Sequence, residues 1–310
     1  MAQPEKTISS NNTEWKKSME ESRAKIDVID DQIVTLLKQR LEHVKTIGKL
    51  KHTHSGEQFV IRPGREATMV RRIFNLFQDS DFHPIAAASM WRQIIAASAN
   101  TESPLKISVY SPAEHSPQYW ITREYFGSFC PITRQPSARR VVGDVMDGKA
   151  NIGILPLPQS SEQDPWWSAL ASQSKDIPRI FAYIPFINLS IQERDRFGAL
   201  AIARVEPENT GKDITYLLLK TDMEISQSRL NSIFSKLTMK ANWLSIQSPT
   251  PDQRHHLIEL AGFFNDDCES IKQFIAEAGS SILGSIFLGS YAEPIITKEP
   301  HAKISNASRE

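Results

Sequence analysis

Hydrophobic residues recur at steps of three and four along a long segment near the start of the chain. The positions are Ile26, Ile29, Ile33, Leu36, Leu37, Leu41, Val44, Ile47 and Leu50. No proline interrupts the stretch from Trp15 to Lys51, so the pattern predicts one continuous amphipathic helix. At about 1.5 Å per residue such a helix spans roughly 50 Å. A helix of this length needs a partner along its apolar side, which favours an intertwined dimer.

Two shorter helices are predicted after this segment. The stretch "HTHSGEQFVIRPG" (52–64) has the composition of a loop. A second helix is expected over 65–78, and a third from Pro84 to about Asn100. Together with the long helix they predict an all-α domain over residues 15–102, preceded by a disordered tail over 1–14.

Beyond the linker "TESPLK" (101–106) short apolar runs alternate with helical patterns. We expect strands at 106–110, 150–158, 180–187 and 197–204, with helices at 118–126 and 138–147. Alternating strands and helices indicate an α/β domain, which we assign to residues 106–210 and expect to be two-lobed.

A different order of elements follows over residues 212–294. The predicted strands are 214–220, 241–248, 256–264 and 282–291, and the predicted helices are 227–237 and 267–278. This βαββαβ order is typical of a ferredoxin-like domain. Residues 297–310 form a polar tail, and the whole chain is therefore expected to be multidomain.

Composition and charge narrow the function classes. The chain of 310 residues has 40% hydrophobic and 23% charged residues, with 36 basic and 36 acidic side chains and a net charge of +0. The net charge of the whole chain therefore gives no reason to expect nucleic acid or a membrane surface as a partner. Cys130 and Cys268 are too few for a disulfide framework, and no signal peptide or membrane span is evident. We therefore expect a cytoplasmic protein.

Common catalytic motifs are missing from the sequence. It contains no GxGxxG, P-loop, GxSxG or HExxH pattern, which weakens dinucleotide, phosphoryl-transfer, serine-hydrolase and zinc-protease interpretations. His52 and His54 lie two residues apart in a polar loop. They are either solvated loop side chains or part of a metal site, but no third ligand is evident.

Cations on the predicted helices suggest a binding pocket. Arg40 and Lys51 are eleven residues apart, about three turns, and leave the same face of the long helix, whereas Arg23 points elsewhere. From Arg23 to Arg65 there are nine Lys or Arg against five Asp or Glu. Two interpretations remain open. The cations form a pocket for a carboxylate ligand, or they lie at the solvated ends of an amphipathic helix, where the aliphatic parts of the Lys and Arg side chains lie along the core and their charges face water.

The same residues carry a family resemblance. The stretch "SRAKIDVIDDQIVTLLKQRLEHVKTIGKLK", followed by "RPGREA", resembles the helical (AroQ) class of chorismate mutases. The resemblance implies three helices per subunit and a homodimer in which each active site borrows an arginine from the other chain. It implies an isomerase that rearranges chorismate to prephenate in phenylalanine and tyrosine biosynthesis, without a metal or other cofactor.

The resemblance also implies a role for each polar residue at the matching positions. Arg40, and Arg23 from the partner chain, bind the substrate carboxylates. Lys51 serves the ether oxygen, and Glu66 accepts a hydrogen bond from the substrate hydroxyl. Arg65 and Ser98 complete the polar wall.

This sequence departs from the family pattern at two positions. Arg62 stands where the family often has an acidic residue. Glu102 stands where a glutamine often shares the ether oxygen with the lysine. Glutamate donates a hydrogen bond only when it is protonated, so we expect activity to fall as pH rises. The alternative is that Glu102 belongs to the linker and faces water.

The remainder of the chain resembles a prephenate dehydratase domain followed by an ACT regulatory domain. The closing "FLGSYAEP" is similar to the L-G-S-Y-P of those enzymes. The Thr-Arg-Phe triplet that they place on a strand near the cleft is here Asp195, Arg196 and Phe197. Two further motifs are altered, at 111–120 and 155–160. An added carboxylate repels an anionic substrate, so the dehydratase motif is interpreted as degenerate.

Three functions are compatible with these patterns. The first is a chorismate mutase with a degenerate dehydratase-like and ACT-like region, the second a bifunctional chorismate mutase/prephenate dehydratase, and the third a non-catalytic small-molecule-binding regulator. The segments "SQSRL" (226–230) and "IQSPT" (246–250) replace the effector loops of phenylalanine-sensitive enzymes and lack the glycine. The ACT-like half is then either a scaffold for dimerisation or a sensor of a small anion, with an amino acid as a possible effector.

Overall fold

The computed structural model describes residues 6–55, 61–160, 162, 165–174 and 176–297. For residues 6–13, 52, 54 and 55 it describes the backbone alone. The chain divides into two compact units, Met1–Gln58 and Phe59–Glu310. Within the described residues no helix is both long and apolar enough to cross a membrane.

The first unit is one long helix, α1 (Lys6–Ser55). The expected helix is confirmed, and it extends past both predicted ends because neither proline nor glycine lies in the flanking stretches 6–14 and 52–55. The apolar stripe that predicted it is exposed in the single chain: Ile26, Ile29 and Leu36 keep 56%, 53% and 62% of their surface open.

Helices α2 (Pro63–Leu76) and α3 (Pro84–Glu102) pack against each other in the second unit. Each begins with a proline, whose fixed φ suits the first turn. Val70 and Phe74 of α2 meet Ala88 and Ile95 of α3, and the cluster extends to Phe186 of the α/β region. The sequence grouped these helices with α1 in a domain over 15–102, whereas contacts in the structure group them with the sheet. The domain boundary remains a prediction.

The second unit is built on one nine-stranded sheet. Its strands and helices are β1 (Ile107–Tyr110), α4 (Pro117–Phe126), β2 (Ile132–Gln135), α5 (Ala138–Met146), β3 (Ile152–Pro156), β4 (Arg179–Ile184), β5 (Ile187–Asn188), α6 (Ile191–Phe197), β6 (Ala199–Ala203), β7 (Asp213–Thr221), α7 (Gln227–Lys236), β8 (Ala241–Thr250), β9 (Gln253–Ala261), α8 (Glu269–Ala278), β10 (Ile282–Ala292) and β11 (Ile295–Ile296). The strand order is β2-β1-β3-β6-β4-β10-β7-β9-β8, while β5 and β11 pair separately. The predicted sequence of an all-α region followed by α/β regions is confirmed.

The last four strands of this sheet form the expected ferredoxin-like arrangement. Elements β7 to β10 follow the βαββαβ order, and the strands pair antiparallel as β10-β7-β9-β8. Strand β10 also joins β4 in parallel where Gly289 faces Ile180. A Cβ at Gly289 would lie 2.1 Å from the Ile180 carbonyl oxygen, so only glycine allows this approach. The sheet is therefore continuous across the two α/β regions.

Both faces of the sheet are covered by apolar side chains. On one face α5 and a 3₁₀ helix at Trp166–Leu170 cover the centre, with Trp166 and Trp167 almost fully buried. On the other face α7 and α8 cover the ferredoxin-like strands, where the rings of Phe234 and Phe274 stack at 4.2 Å.

Candidate active site

Two basic residues, Arg62 and Arg65, lie at the N-terminus of α2, where a helix normally favours negative charge. The backbone N–H groups of Gly64 and Arg65 donate to Oε2 of Glu208, at 3.0 and 3.3 Å. Arg62 forms an ion pair with the same carboxylate. A Cβ at Gly64 would lie 2.7 Å from Cβ of Glu208, so the glycine permits this close approach. The negative charge that a helix start favours is thus supplied from the connection between β6 and β7.

A second long-range tie holds the middle of α2. The guanidinium of Arg71 donates from Nη2 to the carbonyl oxygens of Lys212 and Glu293, at 2.8 and 2.7 Å, and from Nη1 to Oγ1 of Thr210 at 2.9 Å. Groups just before β7 and just after β10 therefore fix this helix in place.

Glu66, in the first turn of α2, is held by an arginine that the sequence analysis did not single out. Its Oε2 lies 2.8 Å from Nη1 of Arg92, and the guanidinium lies 4.5 Å from the ring centre of Tyr125. Arg92 keeps only 7% of its surface exposed. Burial acts to lower the pKa of Arg92, but the charges of Glu66 and Tyr125 outweigh it and raise the pKa overall. The sequence signal was a lone arginine inside the apolar stretch "ASMWRQIIAA".

Ser98 and Glu102 lie one turn apart near the end of α3. Ser98 is buried and donates from Oγ to the carbonyl oxygen of Ile94 at 2.7 Å. Glu102 is the last residue of the helix and is half-buried. A spacing of four places both side chains on the same face, as the family resemblance requires.

Arg65 lies beside Glu66 in sequence but opens onto a surface cavity. It is exposed, and it lines a cavity of about 580 Å³ together with Arg62, Arg72 and Glu208. The structure thus places an arginine beside Glu66 at the start of α2, with further cations nearby.

The three remaining predicted site residues lie on α1. Arg40 and Lys51 are half-buried on a helix whose other side chains are mostly exposed, whereas Arg23 is exposed. The distance of eleven residues places Arg40 and Lys51 on one face of the same uninterrupted helix. The seven predicted residues are therefore carried by three helices, three of them on α1 and four on α2 and α3.

The three altered dehydratase motifs meet in a second cavity, of about 360 Å³. Gln118, Gln159 and Asp195 come from the three motif segments and line it together. The Asp195–Phe197 triplet ends α6 rather than lying on a strand, and Asp195 forms an ion pair with Arg194 at 3.0 Å. Glu259 of β9 also lines this cavity, and burial raises the pKa of its carboxyl group.

No group of three or more histidine, cysteine, aspartate or glutamate side chains among the described residues is arranged to hold a metal ion. The side chains of His52 and His54 lie outside the described residues, so the metal interpretation of that loop stays untested.

The order of the seven polar residues on these helices can be compared with known families. Residues 22–103 match the family chorismate mutase type II. This matched segment contains all seven residues from Arg23 to Glu102. The chorismate mutase match covers about a quarter of the chain and leaves the sheet outside it.

Curated relatives of this chain combine chorismate mutase with a second activity in their names. The bifunctional chorismate mutase/prephenate dehydratase of Pseudomonas aeruginosa is 25% identical over 143 residues, which cover 45% of this chain and 39% of the relative. The protein of the same name from Neisseria gonorrhoeae is 29% identical over 143 residues, 45% of this chain and 37% of the relative. The chain thus spans about two fifths of the length of the curated relatives it matches.

Solved structures of prephenate dehydratases are also similar to this chain. The enzyme from Streptococcus mutans has a TM-score of 0.44 at 14% identity, covering 62% of this chain and 100% of that one. The enzyme from Staphylococcus aureus has a TM-score of 0.45 at 12% identity, covering 60% and 100%.

Proposed function

We propose that this chain is a homodimeric chorismate mutase of the cytoplasm. The observation that carries the proposal is the segment 22–103, whose match to chorismate mutase type II includes every polar residue expected to touch the substrate. Chorismate is a dicarboxylate, and the predicted residues supply cations for both of its carboxylates. The two cysteines, which are both free thiols, suit a reducing compartment.

The chemistry needs shape and charge rather than a nucleophile. Arg40 of one subunit and Arg23 of the other would each bind a carboxylate of chorismate, with Arg65 on the same wall. Holding both carboxylates keeps the substrate in its compact reactive conformer. The reacting atoms are then already close together and oriented, which lowers the activation free energy.

Donors at the ether oxygen lower the barrier further. This oxygen gains negative charge as the C–O bond breaks, so a donor placed there binds the transition state more strongly than the ground state. Lys51 fills this role, and Glu102 occupies the position of the second donor.

Glu66 is assigned to the substrate hydroxyl, and Arg92 is its positioning residue. Since Arg92 contacts Oε2 of Glu66 at 2.8 Å, the carboxylate is held in one orientation with its other oxygen available to accept from the hydroxyl. The buried guanidinium acts through Glu66 and does not itself contact the substrate.

The apolar stripe of α1 supports the proposed dimer. Ile26, Ile29 and Leu36 each keep more than half of their surface exposed in one copy, which a soluble helix of this length does not tolerate without a partner. Pairing with α1 of a second copy would cover the stripe and bring Arg23 towards the partner's site.

The bifunctional alternative rests on a specific observation. Gln118, Gln159 and Asp195, from the three altered motifs, line one cavity, as an active site requires. Asp195 places a carboxylate where the dehydratase triplet has a threonine hydroxyl, and Glu259 adds a second carboxyl group, so Arg194 and Arg196 in the same cavity are less available to a dicarboxylate such as prephenate. We therefore rank the dehydratase step second to the mutase alone.

One assay separates the three functions. The purified protein is incubated with chorismate, and both chorismate loss and phenylpyruvate formation are followed. Loss of chorismate without phenylpyruvate supports the mutase alone, and both changes together support the bifunctional enzyme. No loss of chorismate refutes the proposal and favours the non-catalytic regulator.

A further inference from the structure

The cavity of about 360 Å³ that the altered dehydratase motifs line carries charged groups of both signs. Glu259 of β9 lies directly opposite Tyr216 of β7 and Asn242 of β8 in the sheet, so these three side chains share one face. Arg194 and Arg196 line the same cavity from the last turn of α6. The volume is within the range of cavities that hold small organic molecules.

Glu259 supplies the negative charge on the sheet side of the cavity. Its Oε2 accepts a hydrogen bond from the Tyr216 hydroxyl at 3.4 Å, whereas its Oε1 has no hydrogen-bond partner among the described residues and is accessible. The carboxylate forms no ion pair within the part of the chain that the structure describes. Burial raises the pKa of Glu259, because its charged form has lost water. A cationic group on a ligand would stabilise that charge.

The two arginines of α6 supply unused donors. Nε of Arg194 contacts Oδ1 of Asp195 at 3.0 Å, but the two Nη groups of Arg194 have no hydrogen-bond partner among the described residues. Arg196 lies over the ring of Phe197, 4.9 Å from its centre, and forms no ion pair with any described residue. Because Asp195 balances Arg194, the cavity keeps one uncompensated cation at Arg196 and one uncompensated carboxylate at Glu259. A ligand that complements both carries one positive and one negative group.

The remaining lining suits an apolar side chain on that ligand. Leu157 and Leu244 contribute aliphatic surface, and Tyr183, Tyr216 and Tyr291 line the cavity beside them. The ring centres of Tyr183 and Tyr291 are 5.8 Å apart, and those of Tyr216 and Tyr291 are 5.9 Å apart. The three rings therefore form one continuous aromatic wall.

We propose that this cavity binds an α-amino acid with an apolar side chain. Oε1 of Glu259 accepts from the ammonium group, Arg194 and Arg196 donate to the carboxylate, and the side chain packs on the leucines and the aromatic wall. The segments 226–230 and 246–250, which replace the effector loops, do not line the cavity, so this site is separate from them.

Three probes with the same ring test the two charged contacts: L-phenylalanine, phenylpropionate and phenethylamine. Phenylpropionate lacks the ammonium group, and phenethylamine lacks the carboxylate. Calorimetric titrations of the full chain are expected to give a Kd for L-phenylalanine at least about tenfold below that of either analogue. Equal or tighter binding of phenylpropionate overturns the role of Glu259, and equal or tighter binding of phenethylamine overturns the role of the arginines. No binding by any probe overturns the site.

A charge-removing variant tests the ammonium contact at its proposed place. Glu259→Gln keeps an oxygen that can accept from the Tyr216 hydroxyl but removes the negative charge. We expect the Kd for L-phenylalanine to rise at least about tenfold. Asp267→Asn removes an exposed carboxylate that does not line the cavity, so it is the matched control and should keep the original Kd. Unchanged binding by Glu259→Gln contradicts the assignment.

A blocking variant tests the location without changing a charge. Asn242 is exposed on β8 and lines the cavity, so Asn242→Phe should weaken L-phenylalanine binding at least about tenfold. Ser248 is also exposed on β8 but does not line the cavity, which makes Ser248→Phe the control. Full binding by Asn242→Phe, with an unaltered circular dichroism spectrum, places the amino acid elsewhere and overturns the proposal. None of these measurements uses chorismate, so they are independent of the proposed mutase activity.

Discussion

Oε2 of Glu66 and Nη1 of Arg92 lie 2.8 Å apart and join the first turn of α2 to the middle of α3. Both side chains are largely buried, with 9% of the Arg92 side chain and 17% of the Glu66 side chain exposed. The contact is therefore expected to affect the free energy of unfolding. It also fixes the position of the Glu66 carboxylate, which is proposed to bind the substrate.

Removing one member of this pair is expected to destabilise the protein. Arg92→Met leaves Glu66 without its counter-charge, and breaking a buried pair costs about 3–5 kcal/mol. Urea unfolding of Arg92→Met, Glu66→Gln and the double variant measures the coupling between the two residues. We expect the double variant to recover much of the stability that Arg92→Met loses. Strictly additive effects would show that the pair contributes no coupling energy.

Lys51→Ala is expected to lower kcat/KM for chorismate by at least about a hundredfold, because it removes the donor proposed for the ether oxygen. Lys49→Ala is the matched control, since Lys49 is an exposed residue on the same helix. Helical content measured by circular dichroism should stay unchanged in both. Substantial turnover by Lys51→Ala would refute the placement of the pocket.

Mixing two inactive variants tests whether the active site is shared between subunits. Arg23→Ala and Lys51→Ala each disable both sites of a homodimer. After subunit exchange, half of the dimers are mixed, and each mixed dimer keeps one intact site, so about a quarter of the original activity should return. Failure of the mixture to recover activity, with exchange verified by mass spectrometry, would place all substrate contacts in one chain.

Glu102 is proposed to share the ether oxygen of the substrate with Lys51. A glutamine amide can always donate a hydrogen bond, whereas a glutamate carboxylate cannot, so Glu102→Gln is expected to raise kcat for chorismate. Steady-state kinetics of the two proteins under the same conditions measure the change. An unchanged kcat in the variant would show that this position does not supply a donor to the ether oxygen.

His256 is expected to weaken the fold in acid. It is buried on β9 and contacts Oγ1 of Thr221 at 3.0 Å. Burial, with the nearby charges of Arg254 and His255, lowers the pKa of His256 to about 4. An unfolded histidine titrates near 6.5, so between these values the unfolded chain binds more protons. Stability is therefore complete above about pH 6.5 and declines by up to about 3 kcal/mol as the pH falls to 4.

Urea unfolding at a series of pH values measures this effect. His256→Gln should reduce the slope of stability against pH over this range. His115→Gln, at an exposed position, is the control and should keep the slope. An unchanged slope in His256→Gln would assign the acid sensitivity to other groups.

Local hydrophobic patterns in the sequence predicted most of the helices and strands. The three-and-four spacing from Ile26 to Leu50 identified α1, and the alternation of short apolar runs identified the strands of the ferredoxin-like part. Strand β2 and helix α6 were not predicted, because the exposed "ITRQ" and the charged "IQERDRF" have no apolar face that periodicity could detect.

The contacts of the candidate site were less accessible to sequence reasoning. Arg92 and Glu66 are far apart in sequence, and nothing local shows that two helices place them together. The sequence also could not explain a basic residue at position 62, because the partner of Arg62, Glu208, lies after β6 and far away in sequence. The identities of the proposed chorismate-binding residues came from the resemblance to the AroQ class, whereas spacing along the helix showed only that Arg40 and Lys51 share a face.

The ties from Glu208 and Lys212 to α2 affect how this protein can be divided. A fragment that ends after α3 would retain the segment matching chorismate mutase but lose the carboxylate that neutralises Arg62 and caps α2, as well as the carbonyls that hold Arg71. Loss of the sheet would also expose the side of α2 and α3 that packs on Phe186 and Ala292. The C-terminal part thus stabilises α2 and α3 through these contacts, whether or not it has chemistry of its own.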